Sequence, residues 1–301
     1  MKVVIAGGTG FIGKRLVAAL RARGDEVVVL SRAAASSAHG ERHLRWQGGD
    51  DAWTREVDGA GAVINLAGAP IADGRWTAAR LALIGSSRVT STRLVAQAIA
   101  AAAHKPSVLV NASAVGVYGL HAEGPEFDES SPPARDTLGS ICAAWEAEAQ
   151  HVSATGTRVA IARIGVVLGE EGGALAKMLP PFKAFAGGPI GAGSQVLSWI
   201  TADDCVRALL FAVDEARAVG PFNVCAPAPA TMDAFAQALG RVLGRPSILR
   251  VPAFVLRAAL GEMAGLVLLG QRAVPRQLVR WGFTFDYPSL EAALGHLLVE
   301  A

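Results

Sequence analysis

The sequence predicts an α/β fold built on a doubly wound parallel sheet, followed by a smaller, mostly helical C-terminal lobe. Two observations lead to this fold class. Short apolar runs alternate with segments of helical periodicity through the first half of the chain, and strands become scarce after Gly169. Strands that alternate with helices pair in parallel, with helices on both faces of the sheet. With 301 residues, the chain is long enough for one large lobe and a smaller companion.

The predicted elements begin with a strand, a glycine-rich turn and a helix. Apolar runs predict buried strands at 3–6, 26–30, 62–66, 107–111 and 158–163. Helical spacing of apolar side chains predicts helices at 11–22, 78–102 and 138–153, and then near 202–215, 231–243, 253–268 and 288–299. A short run at 222–224 is expected to return to the sheet.

The chain is expected to form two lobes, with the change between them near 168–175. The first lobe covers residues 1–170, and the second, residues 171–301, is expected to close a cleft over it. A glycine-rich passage at 187–193 leads into strand-like sequence and not into a helix. This passage is therefore interpreted as a flexible loop over the cleft.

Composition excludes several classes of protein. Hydrophobic residues make up 51% of the chain and charged residues 18%, which excludes an intrinsically disordered chain. The net charge of +2 gives no reason to expect nucleic acid or a membrane surface as a partner. The most apolar stretch, 254–269, contains Arg257 and Glu262. It is interpreted as a buried helix, because a membrane span needs about 18 uninterrupted apolar residues.

The cysteines indicate neither disulfides nor a metal site. Cys142, Cys205 and Cys225 are odd in number, far apart and without histidines at ligand spacing. No cleavage-like pattern follows the apolar start of the chain, so a cytoplasmic protein is expected. The expected partner is a small-molecule substrate, and the expected state is a monomer or a homodimer.

The turn after the first strand has the pattern of a dinucleotide site. Its glycines, Gly7, Gly10 and Gly13, are spaced three residues apart between a strand and a helix. Glycine permits the tight turn and the close approach of a pyrophosphate, and the helix N-terminus supplies N–H donors. The sequence therefore predicts a Rossmann-type lobe. The turn residues expected to bind the cofactor are Gly7, Thr9, Gly10, Phe11, Ile12 and Gly13.

The end of the second strand favours NADP(H) over NAD(H). An NAD site usually has a carboxylate here, on the ribose 2′-hydroxyl, whereas this strand ends in Ser31 and Arg32. A serine hydroxyl can donate to a 2′-phosphate and an arginine can pair with its charge. The alternative is that Arg32 is only a solvated surface residue.

These features resemble the short-chain dehydrogenase/reductase superfamily, in its extended branch, the NAD-dependent epimerase/dehydratase family. The supporting motifs are Gly7 to Gly13, Asn65-Leu66-Ala67-Gly68 and Ala112-Ser113-Ala114-Val115-Gly116-Val117-Tyr118-Gly119. Other segments are similar to an atypical subgroup with its own C-terminal domain, here about 248–297: Arg75-Trp76, Trp145-Glu146, Gly187-Gly188-Pro189, Ser198-Trp199-Ile200 and Gly270-Gln271-Arg272. The resemblance implies further cofactor contacts from Leu66, Ala67, Gly68, Arg88, Ser113 and Val166.

The acid/base pair of the superfamily is missing from this sequence. Its enzymes use a Tyr with a Lys four residues later, but the residues four after Tyr118 and Tyr287 are Ala122 and Glu291. The best register places Cys142 and Glu146 at the Tyr and Lys positions. The supporting serine position falls on Ala114. The catalytic residues are therefore left unknown, and packing is the preferred role for Cys142.

Several other polar residues have structural and functional interpretations. Arg163 is expected to form a structural ion pair, and Asp203 and Asp204 are expected to cap a helix. Gln195, Ser198 and Trp199 are expected to form the cleft floor opposite the nicotinamide, although Trp199 in the core and Gln195 on the surface are the alternatives.

Two functional hypotheses follow. The first is an epimerase-like NADP(H) oxidoreductase with an altered acid/base set, acting on a small molecule. The second is a non-catalytic sensor in which cofactor binding changes the cleft for a partner. An interaction module without cofactor is disfavoured because the glycine turn is intact.

Overall fold

The computed structural model describes residues 1–32, 36–38, 41–46 and 51–299. The strands are β1 (Lys2–Ala6), β2 (Glu26–Ser31), β3 (Ser36–Ala38), β4 (Glu41–Arg45), β5 (Ala62–Asn65), β6 (Val108–Ala114), β7 (Glu126–Phe127), β8 (Arg158–Ile164), β9 (Val166–Leu168), β10 (Val196–Leu197), β11 (Trp199–Thr201), β12 (Gly220–Val224), β13 (Ala230–Thr231) and β14 (Arg272–Ala273). The helices are α1 (Phe11–Ala22), α2 (Thr54–Val57), α3 (Ala78–Ala101), α4 (Thr137–Gln150), α5 (Gly173–Lys183), α6 (Ala202–Asp214), α7 (Met232–Leu243), α8 (Ala253–Leu260), α9 (Gly265–Leu268), α10 (Arg276–Trp281) and α11 (Leu290–Val299).

One large sheet organises the molecule. Its strand order is β12-β8-β6-β5-β1-β2-β4-β3, and all neighbours pair in parallel except β3 and β4. The chain runs outward from β1 to β4 and then returns to β5 on the other side of β1. This reversal leaves a crevice at the carboxyl ends of the central strands, where open α/β sheets bind ligands. The predicted Rossmann-type fold class is confirmed.

The sheet is buried on both faces because its strands are apolar on both. Val3 and Ile5 of β1 pack with α1 and α6 on one face, whereas Val4 packs with α3 and α4 on the other. Burying an aliphatic side chain of this size contributes about 1.5–3 kcal/mol. The near-continuous valine and isoleucine runs therefore fix the centre of the sheet.

The C-terminal region has its own apolar core. Helices α5, α7 and α11 contribute side chains to it, together with Trp199 of β11. Helix α6 and strand β12 do not follow this arrangement: α6 packs under the sheet and β12 extends it beyond β8. The expected return to the sheet near 222–224 is thus met by β12. After residue 170 the chain enters the C-terminal core with α5, returns to the sheet with α6 and β12, and enters the C-terminal core again with α7. The predicted boundary near 170 is therefore only the first of several crossings.

The structure corrects the interpretation of 254–269 as one buried helix. Gly261, at φ +62°, ends α8, and a 3-10 turn separates it from α9. Helix α8 buries none of its residues, and Phe254 is 72% exposed. Apolar composition predicted burial here, but the helix lies on the surface. The Arg75 side chain contacts it by donating a hydrogen bond to the carbonyl of Ala258.

No helix in the described ranges is both long and apolar enough to cross a membrane.

Candidate functional site

The candidate site lies along the carboxyl edge of the sheet. The glycine turn follows β1, Ser31 ends β2, Asn65 ends β5, and Ser113 lies near the end of β6. Because these strands are parallel neighbours, their carboxyl ends open onto one crevice. The structure thus brings together segments that are far apart in the sequence.

Each glycine of the turn has a different physical role. Gly7 has φ +83°, and a Cβ there would lie 2.8 Å from the carbonyl carbon of Leu66. A Cβ on Gly13 would collide with the carbonyl oxygen of Gly7, so this glycine lets α1 pack on the turn. A Cβ on Gly10 would meet only the Gly7 oxygen, at 3.4 Å. The space over Gly10 is therefore open to a ligand, as a pyrophosphate cradle requires.

The other turn residues divide between exposure and packing. Thr9 is exposed at the start of α1. The ring of Phe11 lies against Gly169 and Gly172, where an added Cβ would meet it at 2.5 Å, and Ile12 packs against the core under the sheet. Phe11 and Ile12 thus have only their backbone N–H groups to offer to a phosphate.

The end of β2 carries an unpaired hydroxyl. Ser31 is only 7% exposed, and its buried Oγ has no hydrogen-bond partner. Buried polar atoms are nearly always paired, and an unpaired one costs about 1–3 kcal/mol. The next residue, Arg32, is exposed. Ser31 and Arg32 thus lie at the end of β2, the edge of the sheet at which the ribose of a dinucleotide lies in this fold class.

Arg88 closes the crevice after β5. Its Nη1 donates to the carbonyl oxygens of Ala69 and Ile84 at 2.9 and 3.1 Å, and its guanidinium lies 5.1 Å from the ring of Trp145. Burial lowers the pKa of Arg88. A Cβ on Gly68 would lie 3.1 Å from its Cζ, so the glycine lets Arg88 pass beneath the turn. Arg88 has no carboxylate partner in the described part of the chain.

A buried amide network supports this segment from below. Asn65 Nδ2 donates to Thr92 Oγ1 at 2.9 Å and to Asn111 Oδ1 at 2.7 Å, and Trp145 Nε1 donates to Thr92 Oγ1 at 2.9 Å. The backbone N–H of Ala67 donates to Asn65 Oδ1 at 3.2 Å. The network fixes the loop that contains Leu66, Ala67 and Gly68. Sequence reasoning missed it, although polar residues at the ends of two apolar strands were a usable signal.

The position of the missing lysine is occupied by a paired carboxylate. Glu146 accepts two hydrogen bonds from Arg163, each 2.9 Å long, and a third from Ser113 Oγ at 2.6 Å. Although burial alone lowers the pKa of Arg163, the hydrogen bonds and charge of Glu146 raise it above its ordinary value. The expected ion pair of Arg163 is present. Ser113 is buried, and its hydroxyl donates within the protein.

Tyr118 bonds to the same group of residues, and we call Ser113, Tyr118, Glu146 and Arg163 together the closed cluster. Its hydroxyl donates to Asn223 Oδ1 at 2.7 Å and accepts from Arg163 at 3.0 Å, and its ring stacks on Phe127. Burial raises the pKa of Tyr118 to about 12, and the residue is 1% exposed. A phenol with this environment is a poor acid/base near neutral pH.

Cys142, at the tyrosine position of the helix, is also buried. Burial, reinforced by the charge of Glu146, raises its pKa to about 12. A thiol with a raised pKa is a weak nucleophile and a weak acid. The geometry agrees with a packing role for Cys142.

The expected cleft floor is not formed by the residues assigned to it. Gln195, Ser198 and Trp199 are 1%, 1% and 0% exposed. Gln195 donates to the carbonyls of Ile190 and Val267, Ser198 donates to that of Gln271, and Trp199 lies in the C-terminal core. These side chains connect the 187–193 passage and β11 to the last third of the chain. The sequence predicted a ligand contact because Gln195 and Ser198 follow a glycine-rich passage, but both side chains donate to backbone carbonyls.

Two remaining residues are structural in their observed contacts. Val166 of β9 pairs with Trp199 of β11 and packs against the C-terminal core. Asp204 lies in the first turn of α6, but the cap itself is Thr201, whose hydroxyl accepts from the Asp204 N–H. The Asp204 carboxylate accepts from the N–H groups of Asp286 and Tyr287. The capping interpretation of Asp204 is therefore wrong, because its carboxylate attaches the C-terminal segment instead.

Comparison with known proteins agrees with this geometry. Residues 3–225 match the NAD dependent epimerase/dehydratase family, and residues 251–297 match a domain of unknown function, DUF1731. The chain is 41% identical over 301 residues to the epimerase family protein YfhF of Bacillus subtilis, covering all of this chain and 99% of the relative.

Solved structures show the same architecture. The human epimerase family protein SDR39U1, crystallised with NADPH, has a TM-score of 0.87 and 34% identity, with 99% of both chains covered. A nucleoside-diphosphate sugar epimerase from Corynebacterium glutamicum has a TM-score of 0.78 and 29% identity, and the match covers 99% of this chain and 58% of that one. The glycine turn, the reversed strand order and the matched length together show that this chain belongs to the NAD dependent epimerase/dehydratase family, with the DUF1731 domain at its C-terminal end.

Proposed function

We propose that the protein is a cytoplasmic NADP(H)-binding oxidoreductase of a small carbonyl compound, and that it does not epimerise nucleotide sugars. The observation that carries the proposal is the open cradle over Gly10 beside the unpaired hydroxyl of Ser31 and the exposed Arg32. A carboxylate at position 31 would repel a 2′-phosphate, whereas these two side chains can donate to it. The human relative crystallised with NADPH supports the choice of cofactor.

The residues proposed to hold the cofactor lie on both sides of the crevice. The N–H groups of Phe11 and Ile12 would face the pyrophosphate above Gly10, whose own N–H donates to the Gly7 carbonyl, and Ser31 and Arg32 would face the 2′-phosphate. Arg88 would provide a cation near the nicotinamide half, because its charge is not neutralised by a described carboxylate. Leu66, Ala67, Gly68, Ser113 and Val166 stay proposed contacts.

The polar side chains near the ends of β6 and β8 limit the rate at which a proton can be supplied to the substrate. A bound dihydronicotinamide supplies a hydride, and reduction of a carbonyl then needs a proton. Tyr118, Cys142 and Glu146 are each buried or paired within the protein. A positioned general acid contributes about 10²–10⁴-fold in rate. Turnover is therefore expected to be slow, with solvent or a substrate group as the proton donor.

The experiment is a cofactor titration followed by an activity panel. NADPH should bind the purified protein more tightly than NADH. Nucleotide sugars should show no epimerisation, whereas small carbonyl compounds should show slow oxidation of NADPH. Equal binding curves for the two cofactors would overturn the cofactor assignment. Robust epimerisation that is lost in Tyr118→Phe or Cys142→Ser would show that a substitute acid/base exists.

A non-catalytic sensor is the second candidate, and the closed cluster around Glu146 favours it. Every polar group of Ser113, Glu146 and Arg163 in that cluster is bonded to protein, as expected when no substrate chemistry is required. Hydrogen exchange with and without NADPH separates the two candidates. A sensor would show NADPH-dependent protection of 187–193 with no turnover on any carbonyl compound. A monomer or a homodimer is compatible with both proposals, and neither requires nucleic acid or a membrane.

A further inference from the structure

The end of β4 lies beside the proposed 2′-phosphate position. Parallel pairing of β2 and β4 places Arg45 in register with Ser31, and the N–H of Trp46 donates to the Ser31 carbonyl at 2.7 Å. Neighbouring strands are about 4.8 Å apart. Arg45 is therefore an immediate neighbour of Ser31 at the same carboxyl edge.

The two side chains also lie on the same face of the sheet. Successive residues of a strand point to opposite faces. Leu30 and Leu44 both pack against the core on the α3 face, so Ser31 and Arg45 point to the α1 face. Glu41, which shares the face of Arg45, confirms this side because it lies 3.7 Å from Arg21 of α1. The glycine cradle at the N-terminus of α1 is on this face as well.

The Arg45 side chain has no carboxylate partner within the described ranges. Arg45 is exposed and, like Arg32, it has no ion pair with any residue that the structure describes. Arg42 on the same strand shows the contrast, because Glu26 and Glu56 both hold its guanidinium. Two arginines without a described ion pair are thus neighbours of Ser31, Arg32 along the chain and Arg45 across the sheet, and the Ser31 hydroxyl itself has no hydrogen-bond partner.

We infer that Arg45 is a second cationic ligand for the 2′-phosphate of NADP(H), acting with Ser31 and Arg32. The inference rests on the proposed function. A phosphate monoester carries up to two negative charges and three terminal oxygens, so a single arginine leaves part of its charge and acceptor capacity unused. Arg45 determines specificity for the phosphorylated cofactor and does not take part in hydride transfer.

The test uses the adenosine half of the cofactor. Calorimetry measures the binding of adenosine 2′,5′-bisphosphate and of ADP to the full chain and to Arg45→Ala. We expect the bisphosphate to bind about tenfold more weakly to the variant and ADP to change less than twofold, since one charge-assisted contact is lost. Arg45→Lys should retain part of the preference because it keeps the charge.

Arg280→Ala is the matched control. Arg280 is exposed on α10, which packs beside β12 at the opposite edge of the sheet, so its removal changes the net charge equally. This control should leave the binding of both probes unchanged. The melting temperatures of both alanine variants should match that of the unmodified protein, which excludes misfolding as the cause.

Three outcomes would overturn the inference. If Arg45→Ala weakens both probes equally, Arg45 contacts the adenosine and not the phosphate. If it weakens neither while the unmodified protein prefers the bisphosphate, the inference fails and the proposed function stands. If the unmodified protein binds NADPH and NADH equally, the proposed function itself fails.

Discussion

The two ends of the crevice differ in how their polar groups are used. At the end of β2, the Ser31 hydroxyl is unpaired and Arg32 is free of ion pairs with the described residues. At the end of β6 and β8, Glu146, Arg163 and Tyr118 bond to one another. The unpaired groups at the β2 end leave hydrogen-bonding capacity unused, whereas the satisfied cluster stabilises the fold. This contrast supports the proposal that the protein binds a cofactor without the acid/base chemistry that usually accompanies it.

Breaking the closed cluster should have the largest effect. Arg163→Met removes the buried cation that pairs with Glu146 and leaves this mostly buried carboxylate with only the Ser113 hydrogen bond, and breaking a buried pair typically costs about 3–5 kcal/mol of unfolding free energy. Chemical denaturation monitored by tryptophan fluorescence measures the loss. Arg241→Met is the control, because its ion pair with Glu291 is exposed and worth about 0–1 kcal/mol. A loss below about 1 kcal/mol in Arg163→Met would show that the cluster is not structural.

Filling the open space over Gly10 tests the end of the crevice at which the cofactor is proposed to bind. Gly10→Val places side-chain atoms where the pyrophosphate is expected, so NADPH binding should fall at least a hundredfold while the lobe stays folded. Fluorescence titration and circular dichroism measure the two properties. Gly295→Val is the control, since a Cβ at Gly295 meets nothing within 4 Å. Normal NADPH binding by Gly10→Val would mean that the site lies elsewhere.

Removing the first charge at the β2 end should have a smaller effect. Arg32→Ala loses a charge-assisted contact worth about 1.5–3 kcal/mol, which is more than tenfold in NADPH affinity. NADH affinity should be unchanged, so the preference between the cofactors should largely disappear. The interpretation of Arg32 as a solvated surface residue predicts instead that both affinities stay as they were.

Removing the Tyr118 hydroxyl from the closed cluster should have the smallest effect of the four substitutions. Tyr118→Phe loses hydrogen bonds to Asn223 and Arg163, worth about 1 kcal/mol of stability at neutral pH, and should leave any NADPH oxidation unchanged. The raised pKa of about 12 gives a further signature. The native state favours the neutral phenol, so its stabilising contribution is complete below pH 10 and is lost as the pH rises from 10 to 12. Denaturation at several pH values should show that this loss is smaller in Tyr118→Phe.

The sequence allowed prediction of the sheet where strands were apolar on both faces. The strands from β1 to β8 that carry valine and isoleucine were found, and β12 was anticipated. Strand β4 was not, because its residues, Glu41 to Arg45, are mostly charged and lie near the edge of the sheet. Helix α5 was also missed, because Pro180 and Pro181 lie inside it and proline normally indicates a helix end.

At the candidate site, the sequence predicted the glycine turn but not the contacts between distant segments, and the cofactor contacts stay predictions. The glycine turn follows a spacing rule, and the open space over Gly10 agrees with it. Three of the carbonyls that Gln195 and Ser198 contact lie more than seventy residues away in the chain, and no pattern in the sequence encodes them. Arg45 was overlooked for the same reason, since only the register of β4 with β2 places it beside Ser31.

The late position of β12 in the chain has a consequence for biosynthesis. Strand β8 is complete at Ile164, but β12, which covers its free edge, begins only at Gly220. While the intervening residues are being translated, an apolar strand with unpaired N–H and C=O groups is exposed on the nascent chain, and such edges promote aggregation. Tyr118 and Glu129 also lack one hydrogen-bond partner until Asn223 of β12, to which both bond, has been translated. A ribosome stalled before residue 220 would therefore hold a half-formed domain that depends on chaperones for its solubility.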